Sequence, residues 1–164
     1  MSDMKFKFTI QPYQTEAVES VINVFAGQPF NDRFTYRRDV QIDRDVTNWR
    51  MTDEELYMGF ANARLQLDLG QLLGNIHRVQ AHNNIRLADT VASNGLGACS
   101  LDVEMETGTG KTYVYIKTMF ELNKQYGWSK FIVVVPSVAI REGVYKSFET
   151  MQEHFMEYYG KKAR

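Results

Sequence analysis

Met105-Glu106-Thr107-Gly108-Thr109-Gly110-Lys111-Thr112 decides how the rest of the chain is read. Immediately before it, Leu101, Val103 and Met105 alternate with Asp102 and Glu104, the period of a β-strand. Immediately after it, Val114, Met119, Leu122 and Tyr126 recur at helical spacing, and Gly127 supplies a stop. A glycine-rich turn between a strand and a helix start is the setting of a phosphate-binding loop. Gly108 and Gly110 admit backbone angles closed to residues with a Cβ, so successive N–H groups can curl around an anion. The helix that follows aims its unpaired N–H groups and the positive end of its dipole at the same point. Lys111 is placed to reach β- and γ-phosphates, and the Thr112 hydroxyl to ligate Mg2+. The pattern departs from the general motif at Met105, where a glycine is usual. The competing reading is an ordinary glycine-rich turn with an incidental lysine. Strand, loop and helix in the right order favour a nucleotide site.

A chain of 164 residues, 44% hydrophobic and 24% charged, fits one globular domain with a real core. The net charge of −1 gives no overall attraction to nucleic acid, so such contact must come from a local patch. With one cysteine, Cys99, no internal disulfide forms, and that residue is expected to be a small core side chain. Met1 to Gln11 lacks an apolar stretch of secretory type, and Phe131 to Val135 is too short to span a bilayer. The expectation is a cytoplasmic protein without membrane contact.

Toward the amino terminus, Lys5 to Ile10 alternates as a short edge strand ended by Pro12. From Gln14 to Phe25, apolar residues at Ala17, Val18, Val21, Ile22 and Phe25 share a helical face, with Thr15 as a cap and Gly27 as the stop. Gln14 offers a donor and an acceptor that match the polar edge of adenine, although glutamine at a helix start also serves as a cap or stays solvated. Gln28 to Arg50 interleaves opposite charges as a solvated loop or short hairpin. Thr52 and Glu55 form a capping-box signature for a helix through Leu56, Phe60, Ala63 and Leu67 toward Leu73. Ile76 to Val91 reads as a further helix broken near Asn83 and Asn84. His77 and His82 are poorly spaced for a metal and are read as surface or capping groups. Ser93 to Gly97 is a turn cluster. Ser129 to Val135 reads as a strand buried on both faces, completing a βαβ crossover, and Ser137 opens a last helix with Val144, Phe148, Met151 and Phe155 on one face.

Gln14, the 105–112 loop and Val134-Val135-Pro136-Ser137 together resemble the first motor domain of superfamily-two helicases and translocases. More narrowly, Leu101 to Tyr115, Glu121-Leu122-Asn123-Lys124 and Val135 to Val144 are similar to the restriction (Res) subunit of type III restriction–modification enzymes. The likeness is tight over 99–155, moderate over 5–27 and loose between. It implies an α/β fold: a partial P-loop NTPase (RecA-like) parallel sheet flanked by helices, with a helical insertion before the phosphate loop. Residues 1–164 would form the first part of that motor domain: an adenine-contacting segment at 5–27, an insertion at 28–97, and the loop, βαβ unit and following helix at 98–164. The resemblance further implies that Gln14 reads adenine. Thr107, Gly108, Thr109, Gly110, Lys111 and Thr112 would hold ATP, Lys111 and Thr112 serving catalysis and Thr112 the metal. Pro136, Ser137 and Arg141 would lie against a DNA backbone, where a bare strand-to-helix turn is the alternative. Duplex DNA and a modification (methyltransferase) subunit are the implied partners. The acidic magnesium box, second motor domain and nuclease are expected beyond Arg164, so this chain is expected to bind ATP and not to turn it over. Two alternatives remain: a translocase without a nuclease, and a non-catalytic module docking a partner through 52–91.

Overall fold

The computed structural model describes residues 8–30, 62–95 and 97–162. The first helix, α1 (Pro12–Val24), begins two residues earlier than the sequence suggests. Pro12 is the reason: it occupies the first turn, where its missing N–H costs nothing and its fixed φ suits a helix. Thr15 is therefore inside the helix, and Gln11 is the N-cap. Beyond the C-cap Phe25, the chain turns through Gly27 at φ 94°.

The second helix, α2 (Leu69–His82), departs furthest from expectation. Asp68 and Gln71 form a reciprocal capping box, each side chain accepting from the other's backbone N–H, at 2.7 and 3.0 Å. Residues 62–68, read from sequence as helix, are not helical. Gln28 holds them: its side chain, buried to 5% exposure, donates to the Arg64 carbonyl and accepts from Gln66 N–H. The break expected near Asn83 and Asn84 is present; Asn83 is the C-cap and Asn84 takes φ 54°. Residues 85–91, expected to continue as helix, do not. The hairpin expected within 28–50 falls mostly outside the described residues, as does the Thr52 capping box.

The third helix, α3 (Lys111–Tyr126), starts and ends on glycines in the left-handed region, Gly110 and Gly127. The fourth, α4 (Val138–Tyr159), is capped by the Ser137 hydroxyl and ends at Gly160. Three apolar clusters join the four in the spatial order α2, α1, α3, α4. Val24 packs with Leu72 and Ile76 between α1 and α2, and Cys99 lies against them; burial raises its thiol pKa. Val18 and Ile22 of α1 meet Val114, Leu122 and Tyr126 of α3. On the opposite face of α3, Tyr113 and Ile116 meet Met151 and Phe155 of α4. Buried Asn75 ties α2 to the end of α1 by donating to the Val24 and Ala26 carbonyls.

Among the described residues none is paired in a β-ladder. The Phe131–Val135 run, expected to be buried on both faces, is open: Ile132 is 92% and Val134 86% exposed, with Phe131 and Val133 less so. Its preceding turn is held by Asn62, which accepts from Ser129 and Lys130 N–H and donates to the Lys130 carbonyl. Before the glycine loop, Leu101 and Met105 are half-buried while Val103 faces outward. No helix among the described residues is long and apolar enough to cross a membrane.

Candidate functional site

The loop expected to bind phosphate is folded as a turn closed on itself. Thr109 donates from both its hydroxyl (2.6 Å) and its backbone N–H (3.4 Å) to the Glu106 carbonyl. Gly108 at φ 84° and Gly110 at φ 86° carry the chain through the left-handed region, which glycine enters without steric cost. Helix α3 then starts, its first internal bond running from Val114 N–H to the Gly110 carbonyl. Among the described residues, the N–H groups of Gly108, Gly110, Lys111 and Thr112 have no acceptor. Four such donors at the positive end of a 16-residue helix make a cradle for an anion. Lys111 and Thr107 are exposed and Thr112 is half-buried at its rim.

The first turn of α1 closes one side of this loop. Gln14 Nε2 donates to the Thr109 carbonyl at 3.0 Å, and the Tyr13 hydroxyl donates to the same oxygen at 3.1 Å. A carbonyl only accepts, so the amide nitrogen of Gln14 must face Thr109, which fixes the flip of the side chain. One N–H and the amide oxygen remain for a third party. That pair is a donor beside an acceptor, complementary to the N7 and N6 edge of adenine. Gln14 is 9% exposed, so it is a held group and not a solvated cap. The contact also explains Gly110, because a Cβ placed there would stand 2.5 Å from Gln14 Nε2.

The structure thus brings Gln14 together with Thr107–Thr112 across more than ninety residues of sequence. It does not bring Pro136, Ser137 and Arg141 to them; among the described residues no hydrogen bond joins that segment to the loop. All three are exposed at the start of α4. The Ser137 oxygen accepts from Ile140 N–H at 3.3 Å, and Arg141 pairs with neighbouring Glu142 at 2.9 Å. Both side chains of that pair are largely exposed, so it is weak and exchangeable. His77 is half-buried and bonds the Ala88 carbonyl at 2.7 Å, tying 85–91 back to α2, while exposed His82 sits 3.8 Å from Glu16.

Sequence reasoning assigned nothing to Tyr13, although its position beside Gln14 on the first turn of α1 puts both at the same end of one helix. It also passed over Lys117, a lysine in an otherwise apolar helix face. A charged residue breaking the apolar stripe was the available signal for it.

The model of the family described as "Type III restriction enzyme, res subunit" matches residues 7–163. The chain is 35% identical over 162 residues to the Res subunit of the type III restriction–modification enzyme EcoP15I of Escherichia coli, covering 96% of this chain and 14% of that protein. It is 32% identical over 152 residues to the EcoPI Res subunit of Escherichia phage P1, covering 90% and 13%. The StyLTI Res subunit of Salmonella typhimurium is 41% identical over 87 residues, 51% of this chain and 9% of that protein. The chain spans about one seventh of the length of the first two relatives. With the family model covering nearly every residue, this chain belongs to the Res subunit family of type III restriction enzymes.

Proposed function

We propose that this chain is the ATP-binding part of a DNA-translocating Res subunit. The observation that carries the reading is the double clamp of Tyr13 and Gln14 on the Thr109 carbonyl, beside a loop whose Gly108, Gly110, Lys111 and Thr112 N–H groups meet no acceptor among the described residues. The residues present fit a nucleotide triphosphate with Mg2+. Gly108 and Gly110 leave the backbone open to close approach, and the amides of Gly108, Gly110, Lys111 and Thr112 together with the Lys111 ammonium supply positive charge to the phosphates. The Thr112 hydroxyl supplies a hard oxygen ligand for Mg2+, and Gln14 the adenine-reading edge. Transfer of the γ-phosphoryl group to water rests on positioning and charge stabilisation; of the parts required, Lys111 and Thr112 belong to this chain. Turnover, movement along duplex DNA and cleavage with a modification subunit are assigned to the whole Res polypeptide, with this chain alone binding ATP.

The fold that suits this role is α/β and RecA-like, with residues 101–105 and 129–135 as neighbouring parallel strands and the loop at their carboxyl end. The alternation of exposure along Phe131–Val134 supports it, since a period of two is the pattern of strands. Pro136, Ser137 and Arg141 are assigned to a DNA phosphate backbone, for which the open start of α4 offers N–H groups and a guanidinium. The decisive experiment is ATP titration of the parent chain and its Lys111→Ala variant. Loss of a charge-assisted contact to phosphate should weaken binding about tenfold to a hundredfold. Equal affinities would reject the site.

A further inference from the structure

Lys117 lies in the second turn of α3 and is 5% exposed, the one buried lysine among the described residues. Its Nζ donates to the Thr15 hydroxyl at 3.2 Å and stands 6.0 Å from the centre of the Tyr158 ring. Among the described residues it forms no ion pair. A buried ammonium without a carboxylate is expensive in desolvation, and a methionine of similar length would fill the space without that cost. Packing alone therefore does not account for a lysine here.

Thr15 directly follows Gln14. The first turn of α1 is consequently fastened to the loop and its helix at two levels: by Tyr13 and Gln14 to the Thr109 carbonyl, and by Thr15 to Lys117. Side chains in a helix lean toward its amino terminus, which carries the Lys117 ammonium back toward the loop end of α3. The apolar seam of Val18 and Ile22 with Val114 and Leu122 holds the body of α1 on α3, and the Tyr126 hydroxyl donates to the Ile22 carbonyl at 3.0 Å near its far end. The Thr15–Lys117 bond acts beyond that seam, on the first turn itself, where it sets the angle at which the remaining amide edge of Gln14 is presented.

We propose that Lys117 is a positioning residue for nucleotide-base selection, acting through Thr15 to hold Gln14 against the base. This rests on the ATP reading given above. It predicts that the fastening governs the preference for adenine over guanine, with less effect on the grip on phosphates.

The test measures ATP and GTP affinity of the full chain by titration, for the parent and for Lys117→Met, Thr15→Val, Thr15→Ser and Lys111→Ala. Lys117→Met and Thr15→Val should each cut the ATP-to-GTP preference about tenfold. The double variant should lose no more than either alone, because the two share one contact. Thr15→Ser, which keeps the hydroxyl, should restore the preference. Retained preference in Thr15→Val overturns the proposal even where Lys117→Met fails to fold, as does loss of preference in Thr15→Ser equal to that in Thr15→Val. Nucleotide affinity unchanged in Lys111→Ala is a different result, which removes the underlying site. A parent chain that binds ATP and GTP equally removes the base reading, and the proposal with it.

Discussion

Gly110 is held to glycine by two independent constraints. Its φ of 86° is strained for any residue with a Cβ, and a Cβ there would meet Gln14 Nε2 at 2.5 Å. Gly108 has the first constraint only, since its φ is 84° and nothing lies within 4 Å of an added Cβ. Gly108→Ala should therefore cost about 1–2 kcal/mol of left-handed backbone strain. Gly110→Ala should cost more, because the Gln14–Thr109 bond, worth about 1 kcal/mol, is lost in addition. Denaturant midpoints of the two variants check the order; equal values would show that Gln14 moves aside freely. Gln14→Ala should weaken ATP more than GTP, and an unchanged nucleotide preference would leave Gln14 a purely structural clamp. The chemical identities at this scale were legible in sequence. What sequence could not show is that the Gln14 amide and the Tyr13 hydroxyl converge on one carbonyl.

Helix starts and seams behave as separate devices. The Asp68–Gln71 capping box is the reason α2 begins where it does, and Asp68→Ala should destabilise the chain by about 1 kcal/mol, read as a lowered thermal midpoint. The same aspartate-to-glutamine spacing was visible in the sequence. It was overrun by a helix extended from Thr52, because Leu67 fits the helical period whether or not the chain is helical there. At the α3–α4 seam, His154 Nε2 and the Tyr113 hydroxyl lie 3.1 Å apart, beside Phe8 and Phe155. Burial lowers the His154 pKa below its ordinary 6.5; Glu157 opposes that shift and Lys117 adds to it. The unfolded chain then takes up a proton before the folded one does. Stability from this group is full above pH 6.5 and is lost as pH falls through the lowered folded value. His154→Gln should flatten the fall in denaturation midpoint between neutral and mildly acidic pH relative to the parent. Parallel curves would show that carboxylates alone set it. At the end of the same seam, burial and the hydrogen bond to Glu121 raise the Tyr159 pKa well beyond the ordinary tyrosine value.

At the scale of the molecule, α1 and α3 form the middle of the row, with α2 on the far face of α1 and α4 on the far face of α3, where Phe8 also packs against His154. The N-terminal half of α4 is largely exposed, and the preceding Phe131–Val134 run is open to solvent. Ile132 and Val134 put neighbouring apolar, uncharged side chains into water, and such a surface is a site of self-association. The chain should associate as its concentration rises, and paired Ile132→Lys and Val134→Lys substitutions should suppress that in light scattering without lowering the thermal midpoint. A lowered midpoint would mean that these side chains support the fold as it stands. Sequence by itself determined the helices α1, α3 and α4, the glycine turn and the residue types at its rim. Period, glycine, proline and cap residues act within a few neighbours and can be read in a line. Only tertiary structure decided that Gln28 holds 64–66 out of a helix, that Gln14 meets Thr109, and that an apolar run faces water. Each of these depends on which distant group stands opposite, and a side chain's own chemistry does not name its partner.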